Sequence, residues 1–82
     1  MKKQYFKTHE DAQNALLKFN PSKDPLDRFK TAEALAVSTA TLHRVRKRGQ
    51  ITATITEINN LKLVSYSHDE VALAMFKMGG LS

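Results

Sequence analysis

Between His43 and Arg48 the chain places four fixed cations in six residues, His-Arg-Val-Arg-Lys-Arg. Arginine and lysine at this density bind phosphates, carboxylates and guanine edges through permanent charge and several N–H donors. The residues just before them, Ser38, Thr39, Ala40 and Thr41, are small. Small side chains let a surface come close, and long cations reach beyond them. A plainer reading stands beside this one. Cations near a helix C-terminus gain about 0.3–1 kcal/mol each from the helix dipole, so a basic helix end is often only a solvated end.

Other residue types that do chemistry are not arranged for it. His9, His43 and His68 lack metal-ligand spacing. The three glycines, Gly49, Gly79 and Gly80, form no phosphate-cradling loop. Serines, histidines and aspartates are present without the spacing of a triad. With no cysteine in the 82 residues, disulfides, thiol catalysis and cysteine-based zinc sites are excluded. A chain of this length buries only about 60% of its unfolded surface, which leaves little room for a deep cleft. No enzyme activity, metal or cofactor is expected, and His68 is expected to be exposed in a helix first turn.

Lysine and arginine total 13 against 8 acidic residues, a formal charge of +5. The excess is spread over both halves and is densest at His43–Arg48. That balance favours an acidic partner, nucleic acid before a membrane surface. Apolar runs fall far short of the ~18 residues that span a bilayer. The opening MKKQYFKTHE has charge but no apolar region after it, so no secretory signal is expected. The expected location is the cytoplasm, at the nucleoid.

The elements that must position the basic segment follow from caps and periodicity. Thr8 caps a helix over 9–19, with Ala12, Ala15, Leu16 and Phe19 at helical spacing. Phe19–Pro25 ends it with two prolines and an asparagine. Asp27 caps a second helix over 28–35 with the apolar stripe Phe29, Ala32, Leu35 and Ala36, and Leu26 staples its entry. Ser38 caps a third over 39–48, stopped by Gly49 in a left-handed conformation. Residues 50–66 are β-branched, with Asn59-Asn60 between two runs, which signals a hairpin. Ser67 and Glu70 form a capping box for a fourth helix over 68–78, with Val71, Ala74, Met75 and Met78 on one face.

In the third helix, at ~100° per residue, Ser38, Leu42, Val45 and Gly49 share one side. Ala40, His43, Arg44 and Lys47 fall opposite, bordered by Thr39 and Arg46 on one flank and Thr41 and Arg48 on the other. Ala32 is small enough for a close helix crossing, Leu35 and Val37 flank a short turn, and Leu42 and Val45 anchor the next helix. That is the arrangement of a helix-turn-helix.

The segment RFKTAEALAVSTATLHRVRKRGQI, with Tyr66 and the cap Ser67 to Val71, resembles the winged helix-turn-helix of excisionase-like and MerR-like DNA-binding proteins. The match covers roughly 27–77. Two departures stand out: Ala36 occupies a turn position that is often glycine, and the wing segment 50–66 carries only Lys62 and Glu57 as charges. The resemblance implies a fold that is mostly α with a small β-hairpin, order α-α-α-β-β-α. Residues 1–25 are then an extension whose helix packs on the domain, 26–78 the DNA-binding domain and 79–82 a tail. It also implies a site-specific double-stranded DNA-binding protein, either a recombination directionality factor or a compact transcription regulator.

On that reading the helix 39–48 enters the major groove. Thr39, Ala40, His43, Arg44 and Lys47 face base edges, with Thr41 beside them. Ser38, Arg46, Arg48 and Lys62 or Lys30 hold phosphates. A single module of this kind buries ~600–1,000 Å², so selective binding calls for dimers or cooperative copies, with a recombinase as a further partner. Phe76 and Leu73 offer a docking face if they lie outside the core. The competing class is a protein-interaction module that keeps the scaffold and does not bind DNA.

Overall fold

A computed structural model describes residues 3–81. Met1 and Lys2 of the N-terminal segment, and Ser82 of the tail, lie outside the described residues. The elements run α1 (His9–Phe19), α2 (Arg28–Ala34), α3 (Thr39–Lys47), β1 (Thr54–Ile58), β2 (Leu61–Ser65) and α4 (His68–Met78). The chain is therefore mostly helical with one antiparallel hairpin, in the expected order. No helix among the described residues is long and apolar enough to cross a membrane.

Each helix begins where a short polar side chain takes up an orphan N–H. Thr8 Oγ1 accepts from Asp11 N–H at 3.0 Å, and Asp27 Oδ1 from Lys30 N–H at 2.8 Å. Ser38 Oγ accepts from Thr41 N–H at 3.1 Å, and Ser67 Oγ from Glu70 N–H at 3.2 Å. Such a cap contributes about 1 kcal/mol. The expected capping box at α4 is only half formed. The carboxylate of Glu70 turns away from its own cap and accepts Thr52 N–H at 3.0 Å, tying the lead-in of the hairpin to α4.

α2 and α3 end in the same way. After α2, Ala36 N–H donates to Glu33 O and Val37 N–H to Ala32 O. After α3, Gly49 N–H donates to Arg46 O and Gln50 N–H to Val45 O. Both are Schellman closures, which need a left-handed residue just past the helix. Gly49 supplies it at φ 77, and Ala36 supplies it at φ 55 despite its Cβ.

One apolar core joins all four helices. Leu16, Leu26, Leu35, Leu42, Ile51, Val71 and Met75 are its large members. α1 packs along α4, and α2 packs against both α3 and α4. α4 accordingly buries Ala72 as well as the expected Val71, Ala74 and Met75. Two expectations fail here. Phe29 is not in the core; it is 62% exposed, and the buried residues of α2 are Thr31, Ala32 and Ala34, with Leu35 after them. At ~100° per residue Phe29 lies roughly 140° from the centre of that arc. His68 is buried rather than exposed, because Asn20 lies against it, with its Nδ2 3.2 Å from His68 Nδ1.

Two backbone bridges close the fold. Leu26 and Tyr66 exchange both N–H···O bonds at 2.8 Å, fixing the foot of β2 beside the entry to α2. Gly80 exchanges bonds with Gln4 at 2.9 and 3.0 Å, and Leu81 N–H donates to Ala34 O at 2.8 Å. Residues 79–81 are thus laid across the end of α2, with Gly79 and Gly80 buried.

β1 and β2 pair in register from Thr54–Ser65 to Ile58–Leu61, turning through Asn59 and Asn60 at φ 50 and 66. Two left-handed residues are what a type I′ hairpin turn requires. Thr56, Leu63, Ile58 and Leu61 share one face; Ile55, Val64, Glu57 and Lys62 share the other. Ile55, Ile58, Leu61 and Leu63 are each more than half exposed, so the hairpin stands away from the body of a molecule 41 × 26 × 20 Å in extent.

Candidate nucleic-acid interface

α3 is held by two aliphatic side chains. Leu42 is 1% exposed and Val45 8%. With these turned inward, Thr39, Ala40, His43, Arg44, Lys47 and Arg48 are exposed, and Thr41 and Arg46 are half-buried. Helical geometry alone gives this partition, and the core supplies the reason for its direction.

The outward face of α3 forms one wall of a cleft of about 700 Å³. Thr39, Ala40, His43, Arg44 and Arg46 line it, with Leu42 beneath them. The other wall is Arg28 and Phe29 from the first turn of α2, and Val64 and Tyr66 of the hairpin foot complete it. The Leu26–Tyr66 bridge holds these walls together, since it joins the residue before the N-cap of α2 to the residue after β2. Among the described residues no acidic side chain lines the cleft. Its lining sets Arg28, Arg44 and Arg46 beside the apolar Ala40, Phe29 and Val64, a combination suited to anions.

Of the residues expected at the site, the cleft brings together Thr39, Ala40, His43, Arg44 and Arg46. Lys47 and Arg48 are exposed at the end of α3, outside the lining. Ser38 and Thr41 are engaged with each other: the Ser38 hydroxyl caps Thr41 N–H and bonds Thr41 Oγ1 at 3.0 Å. Arg44 Nη2 donates to Thr41 Oγ1 at 3.4 Å, a long bond that leans the guanidinium toward the start of the helix. Lys62 lies on the hairpin face that carries Val64, opposite Glu57 in the register, and does not line the cleft. Lys30 is exposed on α2, also outside it.

Arg28 and Phe29 were not visible as site residues in the sequence. The Arg28 guanidinium lies over the Phe29 ring, 4.8 Å from its centroid. Thr31 and Ala34 carry the one available signal: placing these small residues in the buried arc rotates Phe29 out of it. Elsewhere, His9 packs its ring near Phe76 at 6.0 Å between centroids, and Phe76 is 38% exposed. No group of three or more His, Cys, Asp or Glu among the described residues is placed to hold a metal ion.

In comparisons with protein-family models, curated proteins and solved structures, nothing matched this chain.

Proposed function

We propose that the chain is a small site-specific double-stranded DNA-binding protein of the winged helix-turn-helix kind. α2, its closing turn and α3 are the helix-turn-helix, and the hairpin is the wing. The observation that carries this reading is the division of α3: Leu42 and Val45 sealed in the core, and His43, Arg44 and Arg46 in a cleft without an acidic side chain. A helix lying in a major groove needs that division, with small residues first and cations after them.

α3 enters the groove. Thr39, Ala40, His43, Arg44 and Lys47 read base edges, and Arg46 and Arg48 hold phosphates. Ser38 acts through the helix end, because its hydroxyl is spent on the cap. Lys62 faces Glu57, so the wing adds little charge. One interface of ~600–1,000 Å² supports only modest affinity, and site selectivity then comes from adjacent copies on DNA or from a recombinase beside them. This fits a recombination directionality factor or a compact transcription regulator at the nucleoid, a binding protein and not an enzyme.

Selection of bound duplexes from a random pool, followed by gel-shift titrations, tests the reading. Arg44→Ala and Lys47→Ala should each weaken the selected duplex by roughly 5- to 150-fold, the effect of ~1–3 kcal/mol per base contact. Unchanged affinity and unchanged preference in both variants would remove α3 from the groove.

A second reading is a protein-interaction module. Ile58, Leu61 and Leu63 favour it, since they leave one hairpin face apolar and uncovered. It requires that the chain elute from immobilised DNA and heparin without dependence on salt.

A further inference from the structure

We propose that Arg28 is a phosphate anchor on the far wall of the cleft and that Phe29 is the residue that positions it. This rests on the DNA-binding reading of α3 and adds a second contact line to it.

Three observations converge. Phe29 is 62% exposed although the core lies directly beneath α2. A single exposed ring is ordinary on a protein surface, so its exposure only leaves the ring face free for a partner. The partner is the Arg28 guanidinium, whose Cζ lies over the ring 4.8 Å from its centroid. Both residues face His43, Arg44 and Arg46 across the cleft, with no carboxylate between the walls.

The cation–π contact decides what Arg28 can still do. A guanidinium paired with a carboxylate spends its N–H edge on that partner. A guanidinium over an aromatic face is held by the ring's quadrupole, and its N–H donors are not committed to a carboxylate. Two of those donors match two oxygens of a phosphate in a fork geometry that lysine cannot reproduce. The ring also restricts the side chain before any ligand arrives, so less freedom is lost on binding. A duplex that receives α3 in its major groove presents a phosphate backbone on each side of that groove. Arg46 and Arg48 lie on opposite flanks of α3, and Arg28 adds a contact from α2, on the cleft that Arg46 also lines.

The test uses the full chain and a mixed-sequence 20-base-pair duplex, because a backbone contact does not depend on sequence. Affinity is measured over a series of salt concentrations. Arg28→Ala should reduce the slope of log affinity against log salt by about 0.9, the change for one lost phosphate contact. Phe29→Ala should weaken binding about two- to five-fold at fixed salt, and Phe29→Tyr should restore it. Phe29→Ala should have no further effect when added to Arg28→Ala, because the ring works through the guanidinium. Both side chains are exposed, and thermal unfolding of each variant checks that the fold is retained. The inference fails if Arg28→Ala leaves the slope unchanged while Arg46→Ala and Arg48→Ala reduce it. It also fails if Phe29→Ala weakens binding equally with and without Arg28. If none of the arginine variants moves the slope, the DNA-binding reading itself falls.

Discussion

Two helices of this chain end in the same hydrogen-bonded closure with different residues at the left-handed position. Gly49→Ala isolates the conformational cost. A Cβ built on Gly49 meets nothing within 4 Å, so no clash or new contact enters. An L-residue in the left-handed region costs about 1–2 kcal/mol. The reduced freedom of the unfolded chain returns about 0.4–1 kcal/mol. The net loss is then about 0–1.6 kcal/mol and centred near 0.8 kcal/mol, or roughly 3–6 °C in Tm for a domain of this size. Ala36→Gly runs the same terms in reverse at φ 55, less about 0.4 kcal/mol for a half-buried methyl. It should be neutral or slightly stabilising. Urea unfolding followed by circular dichroism reads both. An ordinary helical residue would respond oppositely, with glycine losing about 0.5–1 kcal/mol against alanine. A gain in stability in Gly49→Ala, or a clear loss in Ala36→Gly, would refute the argument.

Three further outcomes follow from buried groups. Burial pushes the His68 imidazole below 6.5, against the raising effect of Asp69 and with a small lowering from Lys23. Asn20 Nδ2 also donates to Asp24 O at 2.8 Å, so the amide donates to Nδ1 and the neutral ring is the bound form. The unfolded chain then takes up this proton first as pH falls through 6.5. Stability from His68 is present above 6.5 and is lost between 6.5 and the lower folded value. Parallel unfolding curves for the parent and His68→Gln, with no difference in pH slope there, would contradict this. Gly80→Ala drives a Cβ into the Ala34 carbonyl and to 3.0 Å from Leu35 Cα, both backbone. It should cost about 1–3 kcal/mol as an overpacked site, where a free tail would show no change. Thr31 is fully buried and its Oγ1 has no hydrogen-bond partner among the described residues, so Thr31→Val should raise stability by about 1 kcal/mol. A lower denaturation midpoint in that variant would mean the hydroxyl is satisfied.

What could be read from the sequence was local. Thr8, Asp27, Ser38 and Ser67 each act on an N–H three residues away, so the helix starts are written in short spans of chain. Asn59-Asn60 and Gly49 carry their backbone angles in their own chemistry. The outward face of α3 followed from 3.6-residue geometry and two aliphatic anchors. What could not be read depends on distant partners. Phe29 looked like core because it fits a stripe with Ala32, yet the rotation of α2 is set by Thr31 and Ala34 against the rest of the fold. Arg28 joined the site only because Leu26 pairs with Tyr66 forty residues later. His68 is buried by Asn20, and Gly80 is pinned by Gln4; neither relation has a local signature.

The hairpin is tied to the body at its foot, through Tyr66 and Thr52, while its strands bury almost nothing. Two strands without a covering layer are only marginally stable in water. The ladder from Thr54 to Ser65 therefore opens at far lower free energy than the core, and its amides exchange with solvent long before those of Leu42 or Val71. On the proposed DNA-binding reading, a duplex that touches this arm would meet a fluctuating segment and would have to supply the entropy of ordering it. Stiffening the turn, as Asn60→Gly would by supplying the favoured Asn-Gly pair, should tighten association without adding a single contact.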